Sequence, residues 1–251
     1  MQVYPVKTKV VEVCEDLVDP ILASLKSQKL RLEDGDILAV TSKIVSYSEG
    51  RLAKLSDVKP SEKAKRLAEK YSLKPEFAEL ILKESDRIYG GVEKAVLTLK
   101  SGVLTANAGI DNKNALGDCA ILWPNDPQQS AKDLRERIRR ITGKCVAVLI
   151  VDSGLIPLRI GTVGLALAVA GFKPIKDNRG EKDLFGRTIA ITRQAVADDI
   201  ACAAHLLMGE STERTPVVLI RGAPVDYDDG VYGSLDMMMP QKECIFMSVL
   251  L

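Results

Sequence analysis

Histidine and aromatic residues are scarce in this sequence. One histidine, His205, occurs among 251 residues, and Phe, Trp and Tyr together make up 4%. A single imidazole excludes histidine-rich metal sites, and so few aromatics argue against the stacking platforms that bind single-stranded nucleic acids. His205 lies near the end of a predicted helix, where a packed or solvent-facing histidine is more common than a catalytic one. We therefore expect carboxylates, Lys, Arg and backbone amides to carry any catalysis, without His205.

An excess of one charge, paired cysteines and long apolar runs are also missing. Lys and Arg total 35 against 34 for Asp and Glu, and this net charge of +1 argues against a surface that wraps nucleic acid. The five cysteines include no Cys-x-x-Cys pair, which argues against a zinc ribbon and favours reduced thiols. The longest apolar run, residues 160–172, is shorter than the ~20 residues that span a bilayer, and no signal-peptide pattern is found. The sequence predicts a cytoplasmic protein with neither a nucleic-acid nor a membrane partner.

Short apolar runs mix irregularly with segments of helical period. The predicted strands are residues 37–41, 94–100, 102–107, 146–151, 188–192 and 217–221. The predicted helices are residues 19–28, 61–71, 74–85, 130–142 and 192–208, and the run 160–172 is predicted to be a buried strand or helix. Because strands and helices do not alternate strictly, we expect an α+β (mixed α/β) fold rather than a doubly wound sheet. Residues 1–251 are treated as one domain, and Pro124 and Pro127 mark the clearest point at which two lobes could meet.

Three predicted loops each place an acid directly after an apolar element. The first carries Asp111, the second begins with Asp152 and Ser153, and the third contains Glu210. Carboxylates and hydroxyls at strand ends are typical of Mg²⁺ or Mn²⁺ sites, and small residues let backbone amides approach phosphates. Taken singly, a turn, a helix N-cap or a helix C-cap is the more common explanation of each. Taken together, and without a P-loop or a G-x-S-x-G motif elsewhere, they indicate one site.

Two charged segments offer cations to an anionic ligand. Lys43 and Arg51 lie in a polar stretch after the 37–41 strand, for which a β-hairpin arm is the alternative. Residues 173–187 carry five basic side chains balanced by three acids, so this segment is nearly as typical of a solvated loop.

Taken in order, these segments resemble the coenzyme F420-0:L-glutamate ligase family, also called γ-glutamyl ligases. The resemblance covers roughly residues 4–222, and the ordered set is specific although no single piece is. The matching residues include Tyr4, Pro5, Val6, Glu33, Asp36, Thr41, Ser42, Lys43, Glu49, Gly50, Arg51, Asn107, Gly109, Asp111, Asn114, Asp152, Ser153, Arg159, Gly161, Gly164, Lys176, Asp177, Lys182, Arg187, Asp198, Leu207, Met208, Gly209 and Glu210.

The resemblance implies an enzyme that uses GTP and a divalent metal to join the amine of L-glutamate to a carboxylate of F420-0 through an acyl phosphate. It implies two Mg²⁺ or Mn²⁺ sites, one held by Asp111 and Asp152 and the other by Ser153 and Glu210, with K⁺ as a further cation. Asp111, Asp152 and Glu210 would be the catalytic residues. The fold it implies is an intertwined, two-lobed homodimer. The GTP contacts it implies are Lys9, Val10, Val11, Glu12, Ser42, Lys43, Asn114, Met208, Gly209, Ser211, Thr212, Glu213, Arg214 and Thr215.

The sequence also departs from the family pattern. Tyr47 stands where members usually have Lys, the loop after Ser153 is more apolar than expected, and the tail after Gly222 shows little resemblance. The same chemistry on another acceptor, such as a folate, is therefore one alternative. A non-catalytic nucleotide-binding relative is the other, although the presence of all three site carboxylates argues against it.

Overall fold

The computed structural model describes residues 1–250. The strands are β1 (Gln2–Val6), β2 (Ile37–Thr41), β3 (Leu52–Lys54), β4 (Arg87–Val92), β5 (Ala95–Lys100), β6 (Val103–Ala106), β7 (Cys119–Ile121), β8 (Ala147–Gly154), β9 (Val163–Phe172), β10 (Lys176–Asp177), β11 (Arg193–Gln194), β12 (Val217–Arg221) and β13 (Tyr227–Gly233). The helices are α1 (Val18–Ser27), α2 (Ser42–Ser48), α3 (Glu62–Tyr71), α4 (Pro75–Glu84), α5 (Pro127–Thr142), α6 (Val196–Met208), α7 (Ser234–Met237) and α8 (Ile245–Leu250). The predicted α+β class is confirmed.

Six strands form one sheet in the order β1-β12-β2-β8-β9-β13. β2 and β8 run parallel at its centre, with Thr41 opposite Val151, and the other neighbouring pairs are antiparallel. Helices α1 and α5 pack against one face and α6 against the other, so each face buries its own apolar cluster. Burial on both faces explains why β2, β8 and β12 read as nearly continuous runs of Val, Ile, Leu and Ala.

A smaller lobe lies between β3 and β7. It contains the antiparallel sheet β4-β5-β6, the helix pair α3 and α4, and an apolar cluster that includes Phe77, Leu80 and Ile81. β3 and β7 pair with each other in antiparallel fashion, so the chain enters and leaves this lobe at one place beside the large sheet.

Helix boundaries follow local capping chemistry. The Ser61 hydroxyl accepts a hydrogen bond from the backbone N–H of Ala64 and so starts α3, as predicted. The Asp126 carboxylate accepts from the backbone N–H of Gln129, with Pro127 in the first helical turn. The proline-rich segment at 124–127 thus follows β7, where the chain leaves the smaller lobe, and contains the start of α5. Gly143, at φ +71°, ends α5 as predicted.

The structure decides several elements that the sequence left open or placed differently. The polar stretch after β2 is helix α2 rather than a hairpin arm, and its residues Val45 and Tyr47 are buried in the main core. Residues 188–192 do not form a strand and make one isolated bridge, between Lys182 and Thr188. Helix α6 begins at Val196, later than predicted, because the preceding residues pair as β11 with β10. The apolar run 160–172 becomes strand β9, one of its two predicted outcomes.

Within residues 1–250, the helices are all too short or too polar to cross a membrane.

Candidate active site

A cavity of about 1060 Å³ opens at the carboxyl ends of the parallel strands β2 and β8. Sheet edges of this kind are common ligand sites. Residues 8–13, residues 105–116 from the smaller lobe and the connection between α6 and β12 complete its wall. The residues that the resemblance assigns to metal and to GTP all line this one cavity: Lys9, Val10, Val11, Glu12, Ser42, Lys43, Asp111, Asn114, Asp152, Ser153, Met208, Gly209, Glu210, Ser211, Thr212, Glu213, Arg214 and Thr215. Their individual roles stay predictions.

Asp152 lies near the carboxyl end of β8, beside the turn from β2 into α2. Its Oδ2 accepts a hydrogen bond from the indole N–H of Trp123. Burial raises the pKa of the Asp152 carboxyl, and the hydrogen bond from Trp123 offsets this only in part. A cation bound beside this carboxylate would therefore stabilise its ionised form.

Asp111 is held in place by backbone pairing in the smaller lobe. Its N–H donates to the carbonyl of Ile121 at 3.0 Å, and the N–H of Ile121 donates back at 2.7 Å. Its Oδ2 lies 2.8 Å from Nζ of Lys43, and its Oδ1 accepts from the backbone N–H of Lys113 at 2.7 Å. Lys43 belongs to the first turn of α2, so this ion pair joins the large sheet to the smaller lobe across the cavity.

Glu210 lies just beyond the end of α6, and its Oε1 has three side-chain partners. The hydroxyl of Thr162 lies at 2.6 Å, that of Ser153 at 2.8 Å, and Nε2 of His205 at 2.8 Å. Burial pushes the pKa of Glu210 upward, but the hydrogen bonds from Thr162, Ser153 and His205 outweigh it and lower the pKa to about 2. Within residues 1–250, no side-chain hydrogen bond reaches Oε2, so an ionised oxygen is available for a ligand.

His205, which was not expected to carry catalysis, lies beside the site carboxylates, and its exclusion from catalysis stays a prediction. Besides its contact with Glu210, Nε2 of His205 lies 3.3 Å from Oγ of Ser153, and the side chain lines the cavity. Helix α6 ends at Met208 and the chain turns back at Gly209, with φ +71°. This reversal brings Glu210 next to a side chain on the last turn of the helix, a juxtaposition that helical periodicity alone does not show.

The segment 208–215 wraps the cavity with exposed backbone. Gly209 has φ +71° and ψ −176°, a conformation that is essentially restricted to glycine, and a Cβ there would also displace the side chain of Glu213. The carboxylate of Glu213 accepts from the N–H of Ser211 at 2.8 Å, and Nδ2 of Asn114 donates to the carbonyl of Ser211 at 3.1 Å. Turns of this kind present backbone amides to anions.

Residues 9–12 form part of the rim of the cavity. Val11 is buried and Val10 is exposed, so this stretch is anchored through one side chain. Nζ of Lys9 lies 2.6 Å from Oε1 of Glu15, which keeps an ammonium group beside the cavity. The N–H of Thr8 donates to the carbonyl of Arg214 at 3.2 Å, which ties this rim to the 208–215 segment.

Comparison with known proteins agrees with this arrangement of motifs. The profile of the F420-0:Gamma-glutamyl ligase family matches residues 5–222. The chain belongs to this family. It is 42% identical over 204 residues to the Coenzyme F420:L-glutamate ligase of Archaeoglobus fulgidus, a match that covers 81% of this chain and 82% of the relative. It is 41% identical over 202 residues to the enzyme of the same name from Methanopyrus kandleri, covering 80% of each chain. The corresponding enzyme of Methanothermobacter thermautotrophicus is 38% identical over 233 residues, covering 92% of each chain.

Tyr47, a departure from the expected pattern of the F420-0:γ-glutamyl ligases, has a structural role here. Its ring is buried in the main core, and its hydroxyl donates to the carbonyl of Asn114 at 2.9 Å. Burial raises the pKa of this phenol. Tyr47 therefore supplies a neutral hydrogen bond to the cavity wall in place of a cation.

The side chains that the family resemblance assigns to metal suit a hard divalent cation. Asp111, Asp152, Ser153 and Glu210 offer only carboxylate and hydroxyl oxygens, the ligands that Mg²⁺ and Mn²⁺ prefer. In the described part of the chain, no three His, Cys, Asp or Glu side chains lie close enough together to enclose one ion. An ion here would keep positions for water or phosphate oxygens, as Mg²⁺ usually does.

Three charged features of the family pattern do not line the cavity. Arg51 instead forms an ion pair with Glu84 at 3.0 Å within the smaller lobe. Asp36 precedes β2, at the end remote from the cavity, and pairs with Arg221 at 2.8 Å. The basic residues of 173–187 lie outside the cavity wall, and Arg179 pairs with Asp177 within that loop. In the single chain, residues 173–187 therefore form a solvated charged loop, which was one of the two interpretations of this segment.

Sequence reasoning missed three residues that hold the site carboxylates in place. They are Thr162, His205 and Trp123. The only sequence signals were that the sole tryptophan directly precedes Pro124 and that the sole histidine is five residues before Glu210.

Proposed function

We propose that this protein is a GTP- and divalent-metal-dependent ligase that adds L-glutamate to F420-0. Membership of the family supports this proposal, as do relatives that are named Coenzyme F420:L-glutamate ligase. The observation that carries it is the convergence of Asp111, Asp152 and Glu210 with the 208–215 segment on one cavity. A volume of about 1060 Å³ is sufficient for a nucleotide together with part of an acceptor.

The proposed reaction proceeds in two steps. A carboxylate oxygen of the acceptor attacks the γ-phosphorus of GTP, which forms an acyl phosphate and releases GDP. The amine of glutamate then attacks the acyl carbon, loses a proton and expels inorganic phosphate, so that an amide bond remains. One GTP is consumed for each amide formed.

The chain supplies charge and positioning for these steps. Lys43 and Lys9 are cations beside the cavity that attract phosphate oxygens, and the 208–215 backbone offers amide donors. With a pKa of about 2, Glu210 is ionised at neutral pH. When bound, Mg²⁺ or Mn²⁺ would neutralise phosphate charge, with Asp111 and Asp152 proposed for one ion, Ser153 and Glu210 for a second, and K⁺ as a further cation.

A direct assay tests the proposal. The purified protein is incubated with GTP, Mn²⁺, L-glutamate and F420-0, and the products are analysed by mass spectrometry with GDP measured in parallel. The expected result is F420-0 extended by glutamyl residues, with one GDP per amide. A reaction without glutamate is the control and should yield no amide product.

The same assay separates the alternatives. A parallel reaction contains a folate in place of F420-0. Glutamate added to the folate alone would refute F420-0 as the acceptor while retaining the ligase chemistry. GTP binding without any GDP release in either reaction would refute the ligase proposal and favour a non-catalytic nucleotide-binding relative.

We also propose that two copies of the chain form a homodimer. Two loops, residues 155–162 and 183–191, expose large apolar side chains: Leu155, Ile156, Leu158, Ile160, Leu184, Phe185 and Ile191. Leu158 and Ile160 are fully exposed, which is unfavourable in water for side chains of this size. Leu155 also lines the cavity, so a partner that covers the 155–162 loop would lie beside the site.

Light scattering coupled to size exclusion tests the dimer. The expected mass is twice that of the chain, and Ile160→Asp should shift the protein to the monomer. Ile141→Asp, which alters an exposed apolar residue on α5, is the matched control and should leave the dimer intact. A monomeric wild-type protein would refute the proposal.

A further inference from the structure

Trp123, the only tryptophan of the chain, contacts two of the three acid-bearing segments of the candidate site, those of Asp152 and Asp111. Its indole N–H donates to Oδ2 of Asp152. Its ring lies against Gly109, where a Cβ would come within 2.1 Å of the ring atom Cε2. Gly109 ends the turn that leads directly to Asp111. The indole therefore lies between the Asp152 carboxylate and the turn that carries Asp111.

The turn against which the indole packs has an unusual backbone. All three residues of Asn107–Gly109 have positive φ, at 53°, 56° and 70°. Such conformations are unfavourable for non-glycine residues and persist only where surrounding contacts enforce them. One such contact is a hydrogen bond of 2.9 Å that the hydroxyl of Thr98 accepts from the backbone N–H of Ala108. The turn is thus a fixed surface for the ring of Trp123.

Two cationic side chains hold Trp123 in place from other directions. Nε of Arg51 donates to the carbonyl of Trp123 at 3.0 Å. The ammonium of Lys100 lies 5.3 Å from the centroid of the Trp123 ring, within the range of a cation–π contact, and Lys100 also pairs with Glu84 at 2.6 Å. Trp123 is buried, with 4% of the residue exposed, so the direction of its N–H is set by the protein rather than by solvent.

We propose that Trp123 is a positioning residue that fixes the rotation of the Asp152 carboxylate relative to the turn carrying Asp111. Trp123 is not among the residues that line the cavity, so it acts through Asp152 and does not touch substrate. The inference rests on the proposed function, because it requires that Asp152 takes part in ligation. Removing a hydrogen-bond partner behind a ligating carboxylate typically lowers metal affinity or activity about 10–100-fold.

Trp123→Phe tests the role of the N–H while retaining an aromatic ring. The expected result is a kcat about 10–100-fold lower with a KM for glutamate within about twofold of wild type. Phe77→Leu is the matched control, since Phe77 is buried in the apolar cluster of the smaller lobe and does not line the cavity. It should retain the wild-type kcat. An unchanged kcat in Trp123→Phe would overturn the inference.

A double-mutant cycle distinguishes positioning from general packing. Mn²⁺·GTP binding is measured by calorimetry for Trp123→Phe, for Asp152→Asn and for the double variant. If Trp123 acts through Asp152, the second change adds less than about twofold to the first. Losses that multiply would show that Trp123 only supports the core, and would overturn the proposal.

Intrinsic fluorescence gives a readout that does not depend on turnover. Because Trp123 is the sole tryptophan, its emission reports the surroundings of this one indole, including its hydrogen bond to Asp152. Asp152→Asn should shift the emission of the ligand-free protein, whereas Phe77→Leu should not; equal spectra for Asp152→Asn and wild type would contradict the inference. A wild-type protein that binds Mn²⁺·GTP but ligates nothing would refute the proposed function alone, leaving the binding cycle and the fluorescence to decide the role of Trp123.

Discussion

Nε2 of His205, on the last turn of α6, lies 2.8 Å from Oε1 of Glu210, just beyond the end of the same helix. Ser153 and Thr162 contact the same oxygen from β8 and from the residue before β9. The only imidazole of the chain is therefore part of a four-residue cluster that fixes one carboxylate. In this position a histidine orients a carboxylate and need not act as an acid or a base.

We expect His205→Ala to lower ligation about 10–100-fold, because Glu210 loses one of the three partners that orient it. His205→Gln should restore part of the activity, since the Gln amide can donate from nearly the same position. Initial rates of GDP release would measure both variants. Leu206→Ala is the control, because Leu206 is exposed on the same helix turn. A wild-type rate in His205→Ala would show that Ser153 and Thr162 suffice.

Asp152→Asn should stabilise the ligand-free protein at pH 7 while lowering ligation at least about 100-fold, an effect comparable to losing one preorganised electrostatic contact. Burial raises the pKa of Asp152, so the fold disfavours its ionised form. The resulting cost is absent below the ordinary carboxyl pKa, grows as pH rises from that value to the raised folded-state value, and stays constant above it. Thermal unfolding at pH 7 and at pH 4 measures it. A Tm gain that is as large at pH 4 as at pH 7 would contradict the electrostatic explanation.

Glu210→Gln should have the opposite effect on stability. The pKa of Glu210 is lowered from 4.5 to about 2, so its ionised form stabilises the fold. This contribution is fully present above pH 4.5 and is lost as pH falls toward 2. Urea midpoints of wild type and Glu210→Gln should therefore differ most at pH 6 and converge as the pH is lowered to 3. A difference in urea midpoint that stays constant from pH 6 to pH 3 would contradict the stabilising role of ionised Glu210.

Gly109→Ala should destabilise the protein by about 2–4 kcal/mol, combining a positive-φ penalty of about 1 kcal/mol with overpacking against Trp123. The new Cβ would approach the indole to 2.1 Å. Gly117→Ala is a matched control, because Gly117 also has positive φ, at 57°, but faces open space. Gly117→Ala should lose only the stability that corresponds to the positive-φ penalty, about 1 kcal/mol. Chemical denaturation measures the free energy of unfolding of both variants. Equal losses of stability would show that the Trp123 ring moves aside without cost.

The polar residues that gather at the cavity could be selected from the sequence because they follow apolar runs. Asp152 comes at the end of a run that is buried on both faces, and Glu210 comes directly after a helix that ends at a glycine. Asp111 follows a short apolar stretch in the same way, although a left-handed turn intervenes. The ordered motifs then identified the family, which the profile match to residues 5–222 confirmed.

Contacts between distant elements could not be found in this way. His205 was set aside as a helical residue, and Arg51 was expected to bind anions, yet His205 contacts Glu210 while Arg51 is used by Glu84 and Trp123. The α2 segment was open to interpretation as a hairpin arm because its helicity depends on burying Val45 and Tyr47 in the core. Local propensity carries no information about such partners.

The sequence by itself determined the α+β class, the central apolar strands and the acidic loops, because hydrophobic period and capping residues act over a few neighbouring positions. Tertiary structure alone decided which side chains orient those acids. Trp123 is held against Asp152 by a glycine turn and by two cations from elsewhere in the chain, and each of these lies at least fourteen positions away. The orientation of a carboxylate depends on distances that only the packed chain sets. The sequence therefore indicated which acids gather at the cavity, but it did not indicate how they are oriented there.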